Sequence, residues 1–312
     1  MKAQRVHSKP VTVVGYASLD TTTTVVTFRG VNATSILQRP LTTLEPGIGG
    51  IAYIVGACAA IGASVQVISW VGPDADGVRW SQGVAQAGVG VLGVSVHGTR
   101  SPRATVIDIQ TGGTICLFEP GDCHPPTITR GQGQILEAGA WVVLTVSPRQ
   151  ITEDVLDRLP KSAKLIWAVK HDDDAYSENI VIRILERADV VSFSDGERSY
   201  LTIDGIDPER RVRAGTLVVE TKGAEGLAWS IGSPNGGVRP GFIAVERVNT
   251  QDSTGAGDTF IGTLAGLLAR LPELSSLSDQ DISSSIARAS SSAGDLLRRR
   301  NPSCAVGAES KE

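Results

Sequence analysis

The sequence predicts an α/β fold, a three-layer sandwich with a central, mostly parallel sheet and a small β-sheet lid. Three observations predict it. Short β-branched runs alternate with segments of helical period along the chain. Those runs are apolar nearly throughout, as suits strands buried on both faces. Two segments rich in Thr and Val, about 21–46 and 102–119, break the rhythm without a helical period.

In chain order, the strand-like runs are VTVVG at 11–15, VQVISWVG at 65–72, WVVLTV at 141–146, KLIWAV at 164–169, ADVVSF at 188–193 and TLVVET at 216–221. Between them Ile51, Ile54, Val55, Cys58 and Ile61 recur at helical spacing. So do Val78, Val84 and Ala85, and then Ile180, Ile184, Leu185 and Ala188. The segment PRATVIDIQTGGTICLFE alternates around the turn signal Thr111-Gly112-Gly113-Thr114 and reads as a hairpin. The two interrupting segments are expected to meet in space as a lid over the active edge of the main sheet. The stretch SSSIARASSS at 283–292 reads as a polar helix, and the tail after Val306 as loose chain.

The chain has 312 residues, 41% hydrophobic and 20% charged, the composition of a globular protein. That length suits a single domain over 1–312 with the lid segments inserted. Lys and Arg number 29 against 33 for Asp and Glu, a net charge of −4, so there is no basic field to attract nucleic acid or anionic lipid. The expected partner is a small molecule. Cys58, Cys116, Cys123 and Cys304 lie far apart with no CxxC pair, which argues against a disulfide framework or zinc site and for a reducing cytoplasm. The opening MKAQRVHSKP is polar, unlike a targeting segment, and the longest apolar-rich stretch, Ile51 to Ala63, falls short of the ~20 residues a bilayer requires.

The segment Asp252-Ser253-Thr254-Gly255-Ala256-Gly257-Asp258-Thr259-Phe260 follows a strand-like FIAVERV and opens a helix whose apolar face is Phe260, Leu264, Leu267, Leu268 and Leu271, stopped by Pro272. Small residues in a first helical turn let a ligand approach N–H groups that have no intrahelical partner, and the helix dipole adds positive potential there. Phosphate is the natural occupant. A carboxylate at Asp258 beside such an anion is repelled by it, so its retention points to a task such as accepting a proton from an attacking hydroxyl. The plainer alternative is that Asp258 only favours the helix N-terminus.

DSTGAGDTF resembles the DTxGAGDxF signature of the ribokinase-like, or PfkB, carbohydrate kinases. Other matches follow in family order: Val13-Val14-Gly15 with Asp20, Gly49-Gly50 with Gly62-Ala63, and Val71-Gly72-Pro73-Asp74 with Gly77. Ser194 to Glu197 resembles the NxxE motif, and Thr221-Lys222-Gly223-Ala224-Glu225-Gly226 the TxGxxG nucleotide loop. The resemblance spans roughly 11–307. It implies a phosphotransferase that moves the γ-phosphoryl group of ATP, with Mg²⁺, to a hydroxyl of a small sugar or sugar derivative, usually a hydroxymethyl. It further implies that Asp258 is the base and that the N–H groups of Gly255, Ala256 and Gly257 form an anion hole. Asp20, Gly49 and Gly50 would bind substrate, Ser194, Glu197, Thr221, Gly223 and Gly226 would serve the nucleotide, and Glu197 would act through water on magnesium.

Departures from the family pattern bear on substrate. Ile54 stands where the amino-terminal signature usually has Asn, Ser194 replaces the first Asn of NxxE, and Ser147 takes a strand-end position often filled by Glu. Replacements are expected from residues such as Arg103 or Tyr53. The segment RRRNPSCAVGA aligns ambiguously with the family's potassium loop, which leaves K⁺ use open. The alternatives are a nucleoside kinase, with Tyr53, Phe118 and Trp167 as candidates for an aromatic slot, and a catalytically weak regulatory relative. A dinucleotide-binding enzyme is disfavoured, since VVGYASLD lacks GxGxxG. The acidic run Asp172-Asp173-Asp174 reads as a solvated loop rather than a metal site. An exposed lid sheet suggests a homodimer formed through it.

Overall fold

All six apolar runs become strands of one sheet. The structure, a computed structural model, describes residues 8–38, 46–110, 112–232, 237–248, 250 and 253–300. The chain runs β1 (Val11–Val14), β2 (Ala17–Val25), β3 (Leu37–Gln38), β4 (Gly47–Gly50), α1 (Ala52–Ala60), β5 (Val65–Val71), α2 (Ala75–Gln86) and β6 (Gly90–Val96). It continues through β7 (Arg103–Ile109), β8 (Thr114–Glu119), α3 (Arg130–Ala138), β9 (Trp141–Leu144), α4 (Arg149–Arg158), β10 (Lys164–Ala168), α5 (Glu178–Arg187) and β11 (Val190–Ser194). Then come the short α6 (Arg198–Leu201) and α7 (Pro208–Arg211), β12 (Leu217–Thr221), β13 (Leu227–Gly232), β14 (Val238–Ile243), α8 (Ala256–Leu268) and α9 (Asp279–Arg300).

Nine strands form the main sheet in the order β14-β13-β12-β11-β10-β9-β1-β5-β6, and every neighbouring pair from β12 to β6 is parallel. Side chains of period two divide between two apolar layers. Val11, Val13, Trp141, Val143 and Ile166 face the layer built with α1, α2, α8 and α9. Val14, Val142, Leu144, Leu165 and Trp167 face the layer built with α3, α4 and α5. That is why these strands read as unbroken apolar runs.

The lid is a second sheet of order β3-β2-β7-β8, with β4 also paired to β2. Strands β3, β7, β8 and most of β2 come from the two interrupting segments, while β2 starts earlier, at Ala17, and β4 (Gly47–Gly50) lies just beyond the first of them. Residues 39–45 and Thr111, Asp252 of the glycine-rich motif, and 301–312 with Cys304 and the potassium-loop region lie outside the described residues. Cys58, Cys116 and Cys123 are free thiols. Among the described residues no helix is long and apolar enough to cross a membrane.

Several elements differ from the sequence expectation. Strand β6, GVLGVSV, is an edge strand whose apolar run is broken by Gly90, Gly93 and Ser95, with Leu92 88% exposed and Gly93 packed against the Val67 carbonyl. The run FIAVERV is strand only to Ile243: that residue pairs with Leu227, the first of β13, so the chain beyond has no ladder partner. Helix α2 buries Gly77, Trp80 and Val84 and leaves Val78 exposed. The polar stretch at 283–292 is helical as expected, within the 22-residue α9.

Candidate active site

A cleft of about 620 Å³ opens where the carboxyl ends of β1, β9, β10 and β11 meet the lid and the start of α8. Parallel sheets present ligands there because chain reversals leave a crevice beyond the strand ends. Asp20, Gly50, Glu197, Gly255, Gly257 and Asp258 all line it. The structure thus gathers six of the sequence-identified residues from four separate stretches of chain.

Helix α8 is aimed at this cleft by its own small residues. A Cβ on Gly262 would stand 2.1 Å from the Ile54 carbonyl oxygen, and one on Gly266 2.6 Å from Ile61 Cδ1, so only glycine lets α8 cross α1 this closely. Gly255, at the α8 N-cap, has φ +77° and lies under the Tyr53 ring, where a Cβ would come within 2.8 Å. The Asp258 side chain sits in the first turn. One part of the expected anion hole changes: the Ala256 N–H donates to the Ser253 carbonyl at 3.1 Å, and Ala256 is not on the cleft wall. The turn that enters the helix consumes this donor, which leaves Gly255 and Gly257 facing the cleft.

Asp20 lies opposite, on β2. Ser18 Oγ donates to its carboxylate at 2.5 Å, and β4 pairs alongside with Ser18 opposite Gly49. A Cβ on Gly49 would be 2.0 Å from the Asp20 carboxylate, so Gly49 makes room for Asp20 rather than lining the cleft itself. Gly50, at φ +59°, closes against the Tyr16 carbonyl. Burial pushes the Asp20 carboxyl above the usual range, the Ser18 hydroxyl opposes that shift, and the Asp258 charge adds to it.

The nucleotide-associated residues form a neighbouring group. Ser194 donates to Glu197 through its backbone N–H (2.7 Å) and Oγ (2.9 Å), a capping box that holds Glu197 at the cleft while Ser194 itself stays behind it. Ser194 pairs across the ladder with Thr221, and Lys222 reaches Asp195 at 3.7 Å, which joins the two loops. Gly223 and Gly226 adopt positive φ in the β12–β13 turn, and neither they nor Thr221 line the main cleft.

Three expectations are corrected. Ser147 is not a strand-end cleft residue: three residues past the end of β9 and just before α4, it is fully buried and its hydroxyl bonds Thr152 Oγ1 at 2.9 Å. Arg103 belongs to the outward phase of β7 and pairs with Asp76, while Ala104 and Val106 face the cleft. Trp167 is buried in the layer behind the sheet. The other two aromatic candidates, Tyr53 and Phe118, do line the cleft, as does Ile54. In the acidic run, Asp172 lines the cleft but also caps its own loop, accepting from the N–H groups of Asp174 and Ala175. Among the described residues no group of three or more His, Cys, Asp or Glu could hold a metal ion.

Tyr16, Thr145, Lys170 and Cys116 are among the wall residues that the sequence reading missed. Tyr16 packs its ring 4.8 Å from that of Phe118. Thr145 lines the cleft, and its buried Oγ1 lacks a hydrogen-bond partner. Lys170 follows β10 and places Nζ 3.2 Å from Asp258 Oδ1. Cys116 stands on the lid wall. Only the strand-end location of Thr145 and Lys170 signalled them in advance. Behind the cleft, Arg300 at the end of α9 donates to the Tyr53 hydroxyl (2.6 Å) and to the Thr254 carbonyl, which ties the glycine-rich turn to α9.

The same architecture recurs in solved proteins. A fructokinase from Xylella fastidiosa with bound ATP superposes with TM-score 0.72 at 19% identity, covering 93% of this chain and 92% of that one. A ribokinase from Arabidopsis thaliana complexed with ribose and ATP gives 0.69 at 20%, covering 93% of each. A nucleoside kinase from Methanocaldococcus jannaschii gives 0.68 at 15%, covering 93% and 92%. No curated protein sequence matches the chain. The description "pfkB family carbohydrate kinase" matches residues 11–304, nearly the whole chain, and together with the glycine-rich turn at Asp258 and the lidded cleft it establishes that this protein belongs to the PfkB family.

Proposed function

We propose that this protein transfers the γ-phosphoryl group of ATP to a hydroxyl, usually a hydroxymethyl, of a small sugar or sugar derivative. The observation that carries the reading is the convergence of Asp258, in the first turn of α8, with Gly255, Gly257 and Asp20 on one cleft. Use of ATP is supported by the ATP-bound fructokinase and ribokinase of the same fold, and the match over residues 11–304 suits one kinase domain with its lid inserted.

In this reading the acceptor O–H hydrogen-bonds to the Asp258 carboxylate. As the acceptor oxygen bonds to the γ-phosphorus, the bond from that phosphorus to the β,γ-bridging oxygen breaks and the acceptor proton passes to Asp258. The first-turn N–H groups of α8 stabilise charge on the phosphoryl in flight. Asp20 accepts a hydrogen bond from a second acceptor hydroxyl, and Thr145 Oγ1 offers another polar contact. Of the wall carboxylates Asp20, Asp172, Glu197 and Asp258, Glu197 is the one that would serve Mg²⁺ through water, an ion that takes one or two carboxylates plus phosphates and water. Bound there, Mg²⁺ supplies charge neutralisation.

A nucleoside acceptor is the second reading, favoured by the apolar lid wall of Ala104, Val106 and Phe118 with Tyr16 beside it. A purely regulatory role is less consistent with Asp258 retained in the first turn of α8 on the cleft wall. The free thiols suit a reducing cytoplasm. A homodimer through the lid accompanies the proposal, because Phe28, Val31, Ile36 and Leu37 expose large apolar side chains on that sheet and its loop. Light scattering that gave a monomer at micromolar concentration would remove the dimer.

The kinase reading is tested with a panel of sugars and nucleosides in the presence of ATP and Mg²⁺, read as ADP release. Asp258→Asn is expected to lower turnover by at least ~10²–10⁴-fold while ATP still binds. Near-native turnover by that variant would overturn the role of Asp258.

A further inference from the structure

Resting on the phosphotransferase reading, we infer that Lys170 is a further catalytic residue, one that clamps the γ-phosphoryl group and by doing so releases the base. Its Nζ pairs with Asp258 Oδ1 at 3.2 Å across the gap between the end of β10 and the first turn of α8. The side chain is 45% exposed and lines the cleft, so this is not a sealed structural pair. The charges of Asp258 and then Glu197 hold the ammonium above its ordinary range, and burial opposes them. Lys170 therefore stands as a cation beside the carboxylate that receives the proton, on the same cleft as Glu197, the carboxylate assigned to magnesium.

Two chemical arguments turn that position into a role. The Lys170 ammonium sits on Asp258 Oδ1 and so competes with an acceptor hydroxyl for the carboxylate. A base locked this way must be unlocked before turnover. The group that enters between Lys170 and the α8 turn is the terminal phosphoryl of the nucleotide, whose oxygens carry more charge than one carboxylate and accept a compact ammonium well. Lys170 then swings from Asp258 to a γ-phosphoryl oxygen. Asp258 is left to accept the proton of the acceptor hydroxyl, and the ammonium follows the phosphoryl as it leaves the β,γ-bridging oxygen. ADP lacks the group that draws Lys170 away, so the base stays paired when only product is bound.

The test compares MgATP and MgADP binding by calorimetry on the full chain, with wild type, Lys170→Met, Lys170→Gln and Lys170→Arg. Wild type is expected to prefer ATP. The Met and Gln variants should lose about tenfold or more of ATP affinity while ADP affinity stays within about threefold, and Arg should retain part of the preference. Equal losses for ATP and ADP, or no loss for either, overturn the inference. So does unchanged nucleotide binding accompanied by lost selectivity for anionic over neutral acceptors, which would assign Lys170 to the acceptor. Two neutral variants guard against a folding defect in one, and thermal melts report it. If wild type itself fails to bind MgATP, the phosphotransferase reading falls, an outcome read without any Lys170 variant.

Discussion

At Gly49 a single hydrogen atom decides where Asp20 can lie. Any larger side chain would occupy the space of the Asp20 carboxylate. Gly49→Ala is expected to lower kcat/KM for the acceptor by roughly 10²-fold through misplacement of Asp20, with ATP affinity unchanged. Gly56, within α1, has open space around its Cα, so Gly56→Ala should leave kinetics alone and add about 0.5–1 kcal/mol of stability. If the two variants behave alike in steady-state kinetics, the steric account of Gly49 is wrong. A second residue sets a pH limit. Burial pushes the His124 imidazole down from 6.5 to about 4, so the native state keeps it neutral. The unfolded chain takes up its proton as pH falls through 6.5 while the folded chain does not until about 4, so stability present above pH 6.5 is lost across that window. Wild type should lose ~2 kcal/mol more than His124→Leu between pH 7 and pH 5 in urea titrations. Equal slopes would remove His124 as the cause. At this scale the sequence disclosed Asp258 and Asp20 through motif and position. Lys170 and Thr145 stayed hidden because a single polar residue after an apolar run carries no local pattern, and Ser147 misled because the chain beyond β9 turns it toward Thr152 of α4, which the sequence alone does not show.

The elements of the main sheet were legible where both faces are buried, since continuous apolar runs are the direct imprint of that burial. Legibility failed at the edges. Strand β6 and the hairpin strand β14 each have one unpartnered side, and β14 even accommodates Pro240. Helix α8 was legible by its period but not by its crossing, because glycines in a helix read as weak helix formers until the neighbour is seen. Gly262→Ala tests that crossing: the new methyl meets the Ile54 carbonyl, a backbone atom that cannot step aside. The variant is expected to lose about 1–3 kcal/mol in denaturant unfolding, and ATP affinity with it, since separating α8 from α1 also moves the first turn. A stable variant with normal ATP binding would show that the helix pair tolerates a wider spacing than the site geometry implies.

Across the whole molecule, the cleft has two unlike walls. The main sheet, its loops and α8 contribute Glu197, Asp258, N–H donors and Lys170, while the lid contributes Ala104, Val106, Cys116 and Phe118 beside the polar Asp20 and Thr114, with Ile54 and Tyr16 at its margins. The sequence disclosed that a lid exists, from two segments separated by a helical region, but not which phase of β7 and β8 faces inward. Phase depends on pairing register, and pairing is long-range. The inward phase bears on acceptor selectivity. An acceptor hydroxyl set against Ile54 or the lid wall gives up its water without a partner, at roughly 1–3 kcal/mol per group. Ribose presents hydroxyls on every side, whereas a nucleoside presents an apolar base that suits the lid wall and a hydroxymethyl that suits Asp258. Two unmatched hydroxyls would set ribose back by ~10²–10⁴-fold in kcat/KM. The measurement is kcat/KM for ribose and for adenosine, cytidine and their 5′-deoxy derivatives under the same MgATP concentration, with Phe118→Ala alongside wild type. Phe118→Ala should weaken nucleosides and leave ribose nearly unchanged. Saturable phosphorylation of ribose by the wild type, at an efficiency matching any nucleoside, would show that Asp20 and Thr145 alone satisfy a fully hydroxylated acceptor and that the apolar wall plays no part in choosing it.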